Sequence, residues 1–250
     1  MKNKSEYIKF ILPLLIIFFW FIFTYTGKVP PTSLPSLSAV KDTFIEMLKS
    51  GQLSNDLSLS LRRVLAGFFI SSILGISLGI FMGISPKAKE FFQLTLTAIR
   101  QIPMIAWIPL IILWAGIGEV SKIVVILFAA TFPIVVNTMG GVDSTSETYL
   151  EVAKMYGLSK KDTFFKVYLP SALPNIFTGL RLGLGASWMA VVASELIASS
   201  SGIGYRLNDA RSLMRSDVVI VCMIIIGLVG LLMDKLIVLI SHELTPWKKN

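Results

Sequence analysis

Charge and cysteine are scarce in this sequence. Asp, Glu, Lys and Arg make up 15% of its 250 residues, whereas soluble domains contain about 25%. Hydrophobic residues account for 54%, and the mean hydropathy is +0.74. The one cysteine, Cys222, lies inside an apolar run, so no framework of disulfides can form. The composition indicates an integral membrane protein surrounded by lipid.

The sequence motifs of common enzyme sites are also missing. The chain has no phosphate-binding P-loop, no HExxH motif and no cysteine cluster, and its one histidine, His242, follows the last apolar run. No nucleophile, base and acid stand out as a catalytic set. We therefore predict no catalytic residue, no metal site and no cofactor. Because the chain has no ATP site of its own, a partner has to supply the energy for any pumping.

The formal net charge is +8, which raises the question of a nucleic-acid partner. No basic stripe with interleaved aromatic residues is present, so we expect no nucleic acid to bind. Lysine and arginine instead stand at the ends of apolar runs, where they set the orientation of a membrane protein.

Apolar runs predict an all-α integral membrane protein with six transmembrane helices and both termini in the cytoplasm. The runs cover 10–27, 57–84, 91–118, 123–142, 170–200 and 218–241. The first run is longer than the core of a signal peptide and lacks a small-residue cleavage site, which favours an uncleaved span. More lysine and arginine lie in the proposed inner loops than in the outer ones, as this orientation requires.

The chain divides into two parts. Residues 1–56 hold the first transmembrane helix and an extracytoplasmic amphipathic segment, in which Ser36 or Ser38 caps a short helix. The apolar face of that helix is predicted to contain Val40, Phe44, Met47 and Leu48. Residues 57–250 form a core of five transmembrane helices, with a polar helical hairpin at 144–170. Gly75, Gly79 and Gly83 stand four residues apart, which predicts close packing between helices.

The third run is interrupted by polar residues and proline. Arg100 and Gln101 are followed by Pro103 and Pro109, and proline removes a helix hydrogen bond and clashes with the preceding turn. We therefore expect a kink or a break here. Broken helices within a membrane are tolerated where they line a cavity or are covered by protein. Arg100, Gln101 and Pro103 are accordingly the main candidates for the wall of a pathway.

The stretch from Glu147 to Pro170 is a polar island between two long apolar runs. Ser144 with Glu147 fits a capping box, and Gly157 supplies the left-handed residue that ends a helix. Ser159 with Asp162 repeats the start signal, and Pro170 is expected to stop the second helix. The pattern predicts two short helices joined at Gly157.

That island resembles the EAA motif of ABC-importer permeases. The matching residues are Glu151, Ala153, Gly157, Val167, Leu169 and Pro170. Val152 replaces the middle alanine and Val167 stands where isoleucine is usual, but the spacing is intact. The flanking stretches RQIPMIAWIPLIILWAGIGEVSK and SELIASSSGIGYRLNDAR are similar to the nitrate, sulfonate and taurine branch of that family. The resemblance covers nearly the whole chain.

The resemblance implies the fold of a type I ABC importer permease in the inner (plasma) membrane. It places the hairpin in the cytoplasm, docked on a separate ATP-binding subunit through Glu151, Ala153 and Gly157. The other residues assigned to this contact are Tyr149, Met155, Leu169 and Pro170. It further implies a homodimer with two ATP-binding subunits and an extracytoplasmic substrate-binding protein. The solute carried would be a small anion such as a sulfonate, taurine or nitrate.

Polar and aromatic residues inside later runs complete the predicted pathway: Asn137, Ser187, Trp188 and Glu195. A charge at the centre of a membrane costs from about 3 to over 10 kcal/mol, so Glu195 has to face protein or water. It lies near the outer end of its run, where it lines the pathway mouth or contacts the substrate-binding protein.

Other classes of protein predict different features. An ion-coupled secondary transporter or channel would work without an ATPase and would show an inverted repeat between its halves, which is not found. A membrane enzyme would need catalytic polar residues clustered inside the spans, whereas those present are scattered. The hairpin could also rest on the membrane surface, but such helices are richer in apolar bulk and basic residues.

Overall fold

The computed structural model describes residues 3–27 and 29–248, and all the regular structure in them is helical. The α-helices are α1 (Asn3–Tyr25), α2 (Leu37–Lys49), α3 (Gln52–Ile84), α4 (Pro86–Gln101), α5 (Met104–Ala115), α6 (Glu119–Asp143), α7 (Glu147–Met155), α8 (Lys160–Thr163), α9 (Leu169–Ala198), α10 (Ile203–Ser212) and α11 (Ser216–Leu244). A π-helical turn, Phe164–Tyr168, joins α8 to α9, and a 3₁₀ turn, Pro246–Lys248, follows α11. Lys2, Lys28 and Lys249, which contribute to the charge bias between loops, lie outside the described residues.

The number of membrane spans follows from helix length and composition. Four continuous helical stretches of the described ranges are long and apolar enough to cross a membrane: α3, α6, the stretch from α8 through the π-helical turn to the end of α9, and α11. Helices α4 and α5 pass the same test only as a pair, which gives up to five spans. Helix α1 is apolar over Phe10–Tyr25, a shorter stretch. Six spans and cytoplasmic termini therefore remain a prediction.

The predicted break in the third run is confirmed. Helix α4 ends at Gln101. Ile102 is extended, Pro103 is the N-cap of α5, and α5 runs at 99° to α4. Pro103 cannot donate the hydrogen bond that would continue α4, which explains the position of the break. Pro109 lies inside α5 without ending it.

Glycines bring three long helices into close contact. A Cβ atom added at Gly75 of α3 would lie 2.7 Å from Cγ2 of Ile134 in α6, and one at Gly183 of α9 would lie 2.8 Å from Cγ1 of the same residue. Gly79 and Gly83 face Thr138 and Val142 of α6 at similar distances. The predicted packing role of these glycines in α3 is confirmed. Helices α3, α6 and α9 therefore form one tightly packed block, with α6 in the middle.

The amphipathic helix α2 lies against this block and α11. Ser36 is its N-cap, as one of the two predicted alternatives, and accepts a hydrogen bond from the backbone of Ala39. Val40 and Met47 are buried, whereas Leu48 is exposed and does not share their buried face. The hydroxyl of Thr43 donates to Asp217 at 2.7 Å, which ties α2 to the start of α11.

Candidate functional site

In the hairpin between α6 and α9, the end of the first helix, α7, is set by a glycine. Helix α7 stops at Met155, and Gly157 follows with φ of +67°. The backbone N–H of Leu158 donates to the carbonyl of Ala153 at 3.0 Å, and that of Gly157 donates to the carbonyl of Lys154 at 3.0 Å. Only glycine adopts this left-handed conformation without steric cost. The predicted role of Gly157 in ending the helix is confirmed.

The start of α7 differs from the prediction. Ser144 ends α6, where its hydroxyl donates to the carbonyl of Gly141, and Ser146 precedes α7 without a side-chain cap. The capping box of Ser144 and Glu147 is therefore wrong, because α6 continues to Asp143 and uses Ser144 for its own end.

The second helix start is as predicted, but its end is not. Ser159 accepts a hydrogen bond from the backbone of Asp162 at 3.1 Å and caps α8. The chain then continues through the π-helical turn and through Pro170 into α9. In that turn the N–H of Leu169 donates to the carbonyl of Phe164, five residues earlier. The expectation that Pro170 stops the helix is wrong, because a widened turn accommodates a residue that lacks an N–H.

The hairpin exposes large apolar side chains. Met155 is 85% exposed, Tyr149 63% and Val152 44%, whereas Ala153 is buried. Beside them is a groove of about 720 Å³ that Tyr149, Tyr156, Leu158, Val167 and Trp247 help to line. Glu151 and Gly157 are exposed, and Leu169 and Pro170 are half-buried. A contiguous apolar surface rimmed by polar residues marks an interaction site.

The break between α4 and α5 borders a second cavity. Arg100, Pro103 and Asn137 line a space of about 350 Å³ together with Trp107, Phe128 and Leu182, among others. The structure therefore brings three of the predicted pathway residues together. Gln101 is next to them and exposed, but it does not line this space. Within the described residues, Arg100 has no ion pair and no hydrogen-bonded side-chain partner.

The other predicted pathway residues lie elsewhere. The hydroxyl of Ser187 is buried and donates to the carbonyl of Gly183, and the indole N–H of Trp188 donates to the carbonyl of Ile226 at 3.0 Å. Glu195 is buried in a polar cluster at the far end of α9. These contacts are those of helix packing. A pathway role for the three residues remains a prediction that these contacts do not support.

That polar cluster contains residues that the sequence analysis did not identify. Arg63 of α3 is bonded to Glu195 at 2.6 Å and to Glu119 at 2.6 Å. Opposite charges inside apolar runs need partners, so the presence of Arg63 and Glu195 in two spans was a usable signal. Sequence alone does not show which charges meet. Another such pair joins Arg181 of α9 to Asp234 of α11 at 2.5 Å.

The described residues contain no group of three or more His, Cys, Asp or Glu side chains that could hold a metal ion.

Comparison with known proteins gives relatives over nearly the whole length. Residues 71–245 match the family described as "Binding-protein-dependent transport system inner membrane component". The chain is 38% identical to a putative ABC transporter permease protein of Methanocaldococcus jannaschii, over 99% of this chain and 94% of that one. It is 37% identical to the putative aliphatic sulfonates transport permease protein SsuC of Bacillus subtilis, over 96% and 87%.

Solved structures show the same fold. A crystal structure of an amino acid ABC transporter with histidines superposes with a TM-score of 0.65 at 17% identity, covering 80% of this chain and 98% of that chain. At this identity the likeness concerns the fold alone.

Proposed function

The chain belongs to the family of binding-protein-dependent transport system inner membrane components, the permeases of ABC transporters, and on that premise we propose that it is the translocating subunit of an ATP-driven importer. The solute is a small organic or inorganic anion such as a sulfonate, taurine or nitrate. The name of the Bacillus subtilis relative, which concerns aliphatic sulfonates, supports this class of solute. The subunit itself is not an enzyme.

The observation that carries the proposal is the exposed apolar surface of the hairpin. Met155, Tyr149 and Tyr156 are exposed on α7 and the turn after it, which lie outside the helices that are long and apolar enough to cross a membrane. Lipid does not explain such side chains there, whereas a groove on a protein partner does. We propose that this surface docks on the ATP-binding subunit, with Glu151, Ala153, Gly157, Leu169 and Pro170 shaping or bordering the contact.

The orientation follows from this contact. With the hairpin in the cytoplasm, the break between α4 and α5 lies within the membrane and α2 lies on the outer side. We propose six spans, with α1 as the first, both termini in the cytoplasm, and the inner (plasma) membrane as the location. The division into residues 1–56 and a permease core of 57–250 is part of the same proposal.

The pathway is proposed at the cavity next to the broken span. The cavity is lined by Arg100 and Pro103 at the break and by Asn137 of α6, and Gln101 lies beside it. Arg100 has no counter-ion among the described residues. An unpaired arginine in a span is expensive unless water or an anion reaches it. We propose that a second copy of the chain closes this cavity into a pathway, that two ATP-binding subunits drive it, and that an extracytoplasmic binding protein delivers the solute.

The mechanism combines these parts. ATP binding closes the two ATP-binding subunits, and each carries a docked hairpin with it. Because α6 and α9 leave the hairpin directly and pack along each other, their movement switches the pathway between its inward-facing and outward-facing forms.

The test is replacement of Gly157 by valine. A β-branched residue at φ of +67° is strained, at a cost of about 1–2 kcal/mol or more, so the turn between α7 and α8 should distort. We expect loss of co-purification with the ATP-binding subunit and loss of ATP-dependent uptake. Gly116→Val is the control and should still co-purify with the ATP-binding subunit. Gly116 also has a positive φ, +76°, and open space around it, but it lies in the loop before α6 and not in the hairpin. Normal co-purification and uptake by the Gly157 variant would refute the proposal. Uptake by the chain without any ATPase would favour a secondary transporter.

A further inference from the structure

Arg63 is saturated with hydrogen bonds at the end of the helices opposite the hairpin. Its side chain is 3% exposed. Nε and Nη2 donate to the two carboxylate oxygens of Glu119 at 2.7 and 2.6 Å, and Nη1 donates to Glu195 at 2.6 Å. Nη1 and Nη2 also donate to the carbonyl and hydroxyl oxygens of Ser201 at 3.0 and 2.9 Å. Since an arginine has five N–H groups, each of them has an acceptor.

Glu195 is held from its other sides as well. The hydroxyl of Ser60 donates to it at 2.8 Å, and the backbone N–H of Gly204 donates to it at 3.0 Å. A Cβ atom at Gly202 would lie 2.4 Å from this carboxylate, so the loop before α10 closes tightly over it. A buried charge with this many partners has a single arrangement, and removal of one partner is costly.

The two carboxylates that Arg63 binds lie on the two helices that flank the hairpin, at the ends away from it. Glu119 is the first residue of α6, whose other end, Asp143, leads into the hairpin. Glu195 lies near the end of α9, whose first residue, Leu169, follows the hairpin. At 1.5 Å per residue, both carboxylates are about 36–39 Å from the hairpin. Helices α6 and α9 therefore pack along each other, are joined at one end by the hairpin, and are joined at the other end through Arg63.

The geometry points to Arg63 as a positioning residue that makes the two arms of the hairpin move as one body during transport, an inference that rests on the proposed function. A displacement of the hairpin reaches the far end intact only if α6 and α9 do not slide past each other. The two parallel bonds from Arg63 to Glu119 fix both distance and direction, which a single bond does not.

The same cluster extends to α10. Asp56 of α3 accepts a hydrogen bond from Arg206 at 2.9 Å and another from the backbone N–H of Gly202 at 3.2 Å. Helix α10 is therefore fixed to the block that Arg63 holds. A movement that starts at the hairpin reaches α10 through these bonds, and a movement of α10 returns to the hairpin by the same route.

The test is made on the assembled transporter, purified with its ATP-binding subunit. Glu119→Ala removes the bond to α6 and leaves Arg63 bonded to Glu195. It also removes the ion pair of Glu119 with Lys122 at 3.2 Å within α6. Glu119 is 59% exposed, so no buried cavity results. Spin labels on Lys154→Cys in α7 and Ser212→Cys in α10 are placed in one copy of the chain, assembled with a second, differently tagged copy that carries neither substitution. They report the distance between the hairpin and the far end within one copy. Cys222 is fully buried and stays unlabelled.

We expect one distance in the otherwise unaltered protein, the same without nucleotide and after trapping with ADP and vanadate. In Glu119→Ala we expect the distance to differ between the two states, uptake to fall by about tenfold or more, and basal ATP hydrolysis to stay within about twofold. Arg63→Lys keeps the charge without the paired bonds and should show the same change to a smaller degree.

Asp234→Ala is the matched control. It also removes a half-exposed carboxylate from an arginine pair, but that pair joins α9 to α11 and not to α6. It should keep one distance in both states. A single unchanged distance in Glu119→Ala overturns the inference, as does the same change in Asp234→Ala. If Glu119→Ala does not assemble, Arg63→Lys is measured in its place: a distance that differs between the two states supports the inference, and a single unchanged distance overturns it. A parent protein that binds no ATP-binding subunit contradicts the proposed function instead.

Discussion

Replacement of Met155 by alanine isolates the contribution of the hairpin surface to partner binding. Met155 is the last residue of α7 and is 85% exposed in the chain. Because its side chain is mostly exposed, its truncation removes little packing within the described part of the subunit, and alanine favours the helix at least as well as methionine does. The change should therefore leave the hairpin folded and remove only the surface offered to the ATP-binding subunit.

The expected magnitude follows from the area that docking would cover. Full burial of a methionine side chain contributes about 1.5–3 kcal/mol, and most of this side chain is available for burial. A loss of about 2 kcal/mol corresponds to a dissociation constant about 30-fold higher. Residues at the centre of an interface often cost this much or more when truncated.

The assay is a titration of the purified permease, in detergent or lipid discs, with the ATP-binding subunit. Met214→Ala is the matched control, because Met214 is 75% exposed but follows α10 at the opposite end of the molecule. Its affinity for the ATP-binding subunit should equal that of the unaltered chain. Equal affinity for Met155→Ala would refute the reasoning, since the most exposed apolar residue of the hairpin would then lie outside the interface.

Two further predictions concern packing and the pathway. A Cβ atom at Gly79 would lie 2.6 Å from Cβ of Thr138, so Gly79→Ala should lower the stability measured by thermal unfolding by about 1–3 kcal/mol. Gly185→Ala is the control, because a Cβ atom there meets nothing within 4 Å, and equal stability of the two variants would contradict the close packing. Arg100→Gln should lower uptake by about tenfold, since a hydrogen bond to a charged group contributes about 1.5–3 kcal/mol. Arg100→Lys should be partly active, both variants should still bind the ATP-binding subunit, and unchanged uptake by Arg100→Gln would remove Arg100 from the pathway.

Local signals in the sequence predict the structure correctly where it depends on neighbouring residues. Gly157 ends α7, Ser159 caps α8 and Pro103 breaks the third run because each acts on backbone groups within about one turn of itself. The prediction is wrong where two local signals compete. Ser144 carries a start signal for α7 but ends α6, and Pro170 carries a stop signal that the π-helical turn overrides.

The sequence by itself determined that the chain is a helical membrane protein, where most of its long helices run, and that a polar hairpin interrupts them. These properties are set by composition and by spacing along the chain. Only the tertiary structure decided that Ile134 lies between Gly75 and Gly183, and that Arg63 joins Glu119 to Glu195. The partners in these contacts lie about 50 or more residues apart in the chain. Many alternative pairings would satisfy the same charges and the same small residues, and the packing of α3, α6 and α9 selects one of them.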